Sequence, residues 1–299
     1  MNTQELLTQV ESDESSPLEF EVKDGIIWVK NGANKRKVTS NEELARLLQV
    51  SGYLYAEEAL VPHSTLEDLN RIDFFDFYRS QYNEEPDEKK LEHYVTNLRL
   101  GQQNKLNVAG ALLFGKDVRQ LLPQFFINAI WFFGDDITDN QYRSSENIYG
   151  TLDRVYKKSL DFLVGKLEKV QPKGRGFNSL GELEIPEIVL TEILVNALVH
   201  RDYFINDSIK IFLFENRIEM SSPGSLPNNL TEEQVTKGIR RTRNTIISSL
   251  APYKMEYRGA GSGLLRAIKA YPHIQLRNEK DQERVVVTIE RTNRSKPRL

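Results

Sequence analysis

Residues 191–203, TEILVNALVHRDY, decide the fold. At 3.6 residues per turn Glu192, Asn196 and His200 fall on one face of a helix. Their neighbours Ile188, Val189, Leu190, Ile193, Leu194, Val195, Ala197, Leu198 and Val199 are apolar almost all round, the pattern of a buried helix. A carboxylate and an amide in that setting need partners, because each unpaired buried polar group costs roughly 1–3 kcal/mol and a charge costs more. The stripe therefore faces a hydrogen-bond network or a ligand.

Downstream, SIKIFLFE (208–215) alternates, Glu215-Asn216 turns, and RIEMSS (217–222) returns, which predicts a hairpin. HIQLRNE (273–279) and RVVVTIER (284–291) predict a second strand pair. Between the pairs stand SSPGSLP (221–227), RRTRN (240–244) and RGAGSGLLRAI (258–268). Gly259, Gly261 and Gly263 leave the backbone free to approach a phosphate, and the apolar LLRAI after them reads as a helix whose first amides would point at that anion. Upstream, QPKGRGFNSLGELEIP (171–186) is a connection ending in Pro186, suited to a helix start.

Further back, helices are expected at 64–81, 87–99 and 150–167, and strands at 108–114 and 125–133. Trp131, Phe132 and Phe133 read as core. The first 60 residues hold an acidic helix-like start, a strand at GIIWVK and a turn at NGANKR. A helix follows, opened by Thr39 or Ser40 with Glu42 or Glu43 three residues on, the spacing of a capping box.

Composition bounds the class. The chain has 299 residues, 39% hydrophobic and 28% charged, which describes a globular protein with room for two domains. No apolar run reaches the ~20 residues of a membrane-spanning helix, and the acidic start lacks the basic and apolar parts of a secretory signal, so a cytoplasmic location is expected. Absence of cysteine excludes disulfides and thiolate metal sites, and His63, His93, His200 and His273 lack zinc-ligand spacing. Residues 240–299 carry 14 Lys/Arg against 5 Asp/Glu, while the first 239 are net acidic. A basic C-terminal segment suits a phosphate-bearing partner, nucleotide or DNA, and the alternative is a solvated face.

The order ExxxNA, hairpin, PG turn, GxGxGL resembles the nucleotide-binding fold of DNA gyrase, the ninety-kilodalton heat-shock chaperone, histidine kinases and MutL, the GHKL group. More closely, EILVNALVHRDY, RIEMSSPGSLP, RRTRN and GAGSGL resemble the C-terminal domain of Schlafen-type, RecG-like transcriptional regulators. Upstream, NKLNVAGALLFGKD (104–117) and FFINAIWFFG (125–134) resemble further segments of that family. The resemblance implies ATP and magnesium as cofactors. Asn196 would ligate the magnesium, Glu192 would act on the attacking water, and Gly259, Gly261, Ser262, Gly263 and Leu264 would wrap the phosphates. Ser222, Pro223 and Gly224 occupy the turn where hydrolysing relatives have Asp-x-Gly, whose carboxylate accepts from adenine. Serine there weakens the expectation of adenine recognition and of turnover. The first 60 residues resemble the opening and the close of the family's AlbA-type DNA-binding domain, with its middle missing.

Two look-alikes fail. Gly110-ALLF-Gly115-Lys116 approximates a phosphate-binding loop, but Asp117 replaces the hydroxyl that magnesium needs, so neither that loop nor a motor helicase is expected. His200-Arg201-Asp202 imitates a kinase loop, but Asp207 stands where asparagine is required. His200 reads as a phosphate contact or as a helix C-terminal residue favoured by the macrodipole.

The expectation is thus an α+β chain. It comprises a DNA-binding remnant (1–60), an α+β middle region (61–170), a GHKL-like mixed-sheet ATP-binding domain (171–292) and a basic tail (293–299). The function expected is nucleotide-responsive regulation of transcription or another DNA-linked process with weak or slow ATPase activity, with Arg240, Arg241 and Arg243 as phosphate or nucleic-acid contacts and self-association expected by analogy. The alternative is a degenerate scaffold or nucleic-acid adaptor that binds no nucleotide.

Overall fold

The computed structural model describes residues 20–23, 26–31, 34–50, 54–138, 141–170, 181–227, 230–255 and 263–292. The chain divides into two units, Met1–Ala56 and Glu57–Leu299. In the first, strands β1 (Phe20–Lys23), β2 (Ile26–Asn31) and β3 (Asn34–Lys37) form an antiparallel sheet in that order, and helix α1 (Asn41–Val50) follows. Ser40 Oγ accepts from Glu43 N at 3.4 Å, as the capping pattern predicts. Ile27 and Leu48 are buried against Val29, Val38, Leu44, Leu47 and Leu54. The expected acidic helical start lies outside the described residues.

Where the sequence predicted one helix over 64–81, the second unit has a 3-10 turn followed by a helix. Thr65 caps a short 3-10 turn, Leu66–Asp68, and Asn70 then caps helix α2 (Arg71–Tyr82). Each cap is a side chain that bonds the backbone ahead of it, so each starts its own element. Helix α3 (Leu91–Asn97) and the two-residue strands β4 (Gly101–Gln102) and β5 (Lys105–Leu106) come next.

Residues 108–114 are not the expected strand. They form helix α4 (Val108–Phe114), every residue of it buried, capped by Asn107, whose Oδ1 accepts from Gly110 N at 2.8 Å. Apolarity without alternation fits a buried helix as well as a buried strand, and the cap is the feature that decides. Asp117 in turn caps α5 (Val118–Leu121), accepting from Gln120 N at 3.2 Å.

One six-stranded mixed sheet organises the rest. Its strands are β6 (Ile127–Phe132), β7 (Tyr142–Ile148), β10 (Ile209–Leu213), β11 (Arg217–Pro223), β12 (Ile274–Glu279) and β13 (Arg284–Glu290). They lie in the order β12-β13-β11-β10-β6-β7. Within this sheet only the β10 and β6 neighbours run parallel. Both expected strand pairs are present, and Phe214 N donating to Arg217 O at 2.8 Å closes the turn at Glu215-Asn216. Strands of the expected middle region and of the expected C-terminal region share this sheet. Of the aromatic run, Phe132 is buried but Phe133 is exposed, under the guanidinium of Arg143. Alternation along β6 sends adjacent side chains to opposite faces.

Helix α6 (Leu152–Val164) packs on β6, and α7 (Glu187–His200) packs on β11 and on α6. Between these helices β8 (Lys169–Val170) pairs with β9 (Glu182–Leu183). Three helices complete the unit: α8 (Glu232–Thr236), α9 (Thr245–Lys254) and α10 (Gly263–Ala270), with α9 and α10 both against α7. Among the described residues no helix is long and apolar enough to cross a membrane.

Candidate functional site

Helix α7 begins after Pro186 and buries Val189, Leu190, Ile193, Leu194, Val195, Leu198 and Val199. Its polar stripe looks the other way, into a cleft that encloses about 150 Å³. Glu192, Asn196 and His200 line this cleft together with Ser222 and Gly224 from the end of β11, Arg240 and Arg241 after α8, and Gly263, Leu264 and Arg266 from α10. Residues spread along the chain from Glu192 to Val287 thus meet around one space. Its remaining wall is apolar, with Ile193, Met220, Leu226, Leu276, Val285 and Val287 prominent. Its lining thus combines the cations Arg240, Arg241 and Arg266 with hydrocarbon, a combination that accommodates a flat apolar group carrying anions.

Each side chain has a definite role in that geometry. Glu192 is buried, and its Oε1 accepts from Arg266 Nε at 3.1 Å and from Arg266 Nη2. Asn196 is half-buried at the cleft wall. Ser222 Oγ donates to the α7 carbonyl of Ala197 at 2.9 Å, so its proton is committed and its lone pairs remain. Pro223 does not line the cleft, but its carbonyl accepts from Asp202 N at 2.7 Å and ties the strand end to the chain leaving α7. Gly224 has φ +102, and a Cβ there would lie 2.5 Å from Asp202 Cβ and from Arg243 Nη1, so only glycine fits this turn. Gly259, Gly261 and Ser262 lie outside the described residues.

The motif RRTRN divides its work. Arg240 and Arg241 are exposed at the cleft, whereas Arg243 turns inward, donating to Ser225 O at 2.7 Å and to His200 O at 3.3 Å. Asn244, fully buried, donates through Nδ2 to Val199 O at 2.9 Å and Arg201 O at 2.8 Å. These carbonyls are at the C-terminal end of α7, where a helix has no partners of its own for them. Arg243 and Asn244 are therefore latches that hold the last turn of the site helix.

His200 closes α7. Burial, with Arg243 and Arg240 nearby, lowers its pKa to about 4, so the ring is neutral at pH 7 and offers one donor and one acceptor to the cleft. The next residues serve the fold. Arg201 donates to Ile205 O and Asp207 O and lies over the rings of Phe125 and Tyr203, and Asp202 Oδ1 accepts from Phe204 N.

A carboxylate far upstream supports the site as well. Glu57, fully buried, accepts from Ile246 N at 2.9 Å, Ile247 N at 2.8 Å and Thr245 Oγ1 at 3.2 Å, capping α9. Burial raises its pKa against the opposing pull of those donors. Several described cations of the basic C-terminal segment, too, are paired within the molecule. Lys254 pairs with Asp73, Arg266 with Glu192, Arg284 with Glu279, and Arg291 with Glu184.

Residues 206–289 match the family described as "Putative ATP-dependent DNA helicase recG C-terminal". The matched stretch runs from just before β10 almost to the end of β13, so it includes Ser222, Gly224, Arg240, Arg241, Gly263 and Leu264, while Glu192 and Asn196 precede it. Part of the chain is therefore a GHKL- or RecG-type, ATPase-associated domain. No curated protein matches the chain. Among solved structures it is similar to the DIP2311 protein of Corynebacterium diphtheriae, at 17% identity and a TM-score of 0.58. That likeness covers 92% of this chain and 46% of the other, so the chain spans about half the length of that protein, and the likeness is one of fold.

Proposed function

We propose that the cleft binds ATP with magnesium, and that the protein is a nucleotide-responsive regulatory module. The observation that carries this reading is the convergence of Glu192, Asn196, Ser222, Gly224, Arg240, Arg241, Gly263 and Leu264 on one cleft whose lining combines cations with apolar side chains. The family match over residues 206–289 supports it independently.

The side chains present fit magnesium that arrives with phosphates. Among the described residues no three acidic or histidine side chains stand together as a preformed metal cage. Magnesium does not require one, since it commonly keeps several waters and takes one or two protein oxygens beside substrate phosphates. Asn196 would supply such an oxygen, and the ion, when bound, would neutralise phosphate charge. Arg240 and Arg241 would meet the same phosphates from across the cleft. The apolar wall would hold the base, with Ser222 Oγ as a weak acceptor beside it.

Turnover would rest on Glu192. A general base needs a lone pair facing its proton, and Glu192 spends Oε1 on a guanidinium. While that pair is closed Glu192 is a poor base, so ATP binding with slow hydrolysis follows unless bound phosphate draws Arg266 away.

Thermal shift with ATP and magnesium tests the proposal. The wild type should be stabilised in a magnesium-dependent way and Asn196→Ala much less so; ATP at about 10 mM producing no shift in the wild type would refute nucleotide binding.

A further inference from the structure

Glu192 is the one acid lining the cleft among the described residues, and it is 4% exposed. Two residues of α10 close on it. Gly263, the first residue of that helix, lies against Oε2, and Arg266, three residues on and so on the same face, reaches back to Oε1. The Arg266 side chain is 40% exposed and itself lines the cleft. Its planar fork therefore stands between a fixed carboxylate and the space where an anion would lie. Carboxylate and phosphate geometries both suit that fork, so a more highly charged phosphate competes with Glu192 for it.

We infer that Arg266 is a positioning residue that exchanges partners. Without ligand it holds Glu192; a phosphate in the cleft takes the guanidinium and leaves the carboxylate uncommitted. The exchange couples occupancy of the cleft to the tie between α7 and α10, and it fixes the position of the Glu192 carboxylate while no ligand is present. The identity of the natural anion rests on the nucleotide reading above; the exchange itself does not.

Competition of this kind has a thermodynamic mark. An anion that must first open the ion pair binds with its affinity reduced by the closed fraction. Removing the charge of Glu192 relieves that penalty only where Arg266 is present to be released. Simple repulsion between Glu192 and the anion would instead act whether or not Arg266 is there.

Isothermal titration with inorganic tripolyphosphate, and in parallel with ATP and magnesium, on wild type, Glu192→Gln, Arg266→Gln and the double variant separates these cases. Exchange predicts that Glu192→Gln tightens tripolyphosphate binding by about tenfold when Arg266 is present and by less than about threefold in the Arg266→Gln background, the difference being the coupling. Equal gains in both backgrounds would overturn the exchange. Should Arg266→Gln fail to fold, Arg266→Lys retains the cation but not the fork, and the gain must then be smaller than with arginine; an equal gain again overturns it. Tripolyphosphate obeying the cycle with no ATP binding leaves the exchange standing and sinks the nucleotide reading. ATP bound with equal gains does the reverse, and no anion bound by any variant sinks both.

Discussion

Gly263 stands directly against the carboxylate of Glu192: a Cβ on Gly263 would lie 2.9 Å from the carboxyl carbon and closer still to Oε2. The first residue of α10 is thus fitted to the polar stripe of α7, and a phosphate approaching that helix would find backbone there and no side chain.

Gly263→Ala should consequently displace the carboxylate or the helix. The end of a glutamate side chain ordinarily swings aside, but this one is buried and bonded to Arg266, so the strain falls on the α7 and α10 contact. A loss of about 1–3 kcal/mol is expected from such overpacking. Urea denaturation measures it, and nucleotide affinity should fall in the same variant.

Glu57 and α9 make a second case. Three donors share this carboxylate, so Glu57→Ala leaves the first turn of α9 uncapped and should cost about 2–3 kcal/mol. Glu57→Gln keeps one acceptor oxygen and avoids burying a charge, so it should cost less than alanine. Because burial raises the Glu57 pKa, the native state holds its proton more tightly than the unfolded chain. That contribution is fully present below the ordinary carboxylate pKa and is lost as pH rises through the native value, so the gap between wild type and Glu57→Gln should shift in favour of glutamine at neutral pH. Denaturation at acid and neutral pH tests the sign.

What could be read beforehand follows from the range of the interactions. The Glu192, Asn196 and His200 stripe shows because helical period brings residues four apart onto one face, and both strand pairs show because alternation is local. Helix α4 did not show: its apolar residues lack a period, and the weight of Asn107 as a cap emerges only once its carbonyl and amide partners are placed. Neither did the bond from Glu57 to Ile246, 189 positions away, nor the pairing of Arg266 with Glu192. Arg243 and Arg240 belong to the same basic motif, yet one latches α7 and the other lines the cleft, a distinction set by tertiary packing.

The Asn244 latch gives a sharper chemical test. Its Nδ2 donates to two carbonyls at the end of α7, and aspartate would offer acceptors where donors are needed. Asn244→Ala should cost about 1–3 kcal/mol, from leaving buried carbonyls unpaired, and Asn244→Asp should cost more because charge repulsion is added. Equal losses in the two variants, measured by denaturant unfolding, would show that packing and not donation holds the turn.

His200 ties stability to pH in the opposite sense from Glu57. Its native pKa lies near 4, below the ordinary 6.5, so between those values the unfolded chain binds a proton that the native protein does not. Stability from this residue is therefore complete above about pH 6.5 and is lost as pH falls toward 4, by up to about 3 kcal/mol. His200→Asn removes the titration while keeping polar atoms near the ring's position. The stability difference between wild type and His200→Asn should shift against the wild type by about 2–3 kcal/mol from about pH 7.5 to about pH 4.5. Carboxylates that titrate over the same range act in both proteins and cancel in that difference. The imidazole carbon resonance of His200 gives the independent check. A midpoint close to 4 agrees with a ring kept neutral by burial and by the Arg243 and Arg240 charges, whereas a midpoint at the ordinary 6.5 would mean that the cleft is wetter around His200 than the packing implies.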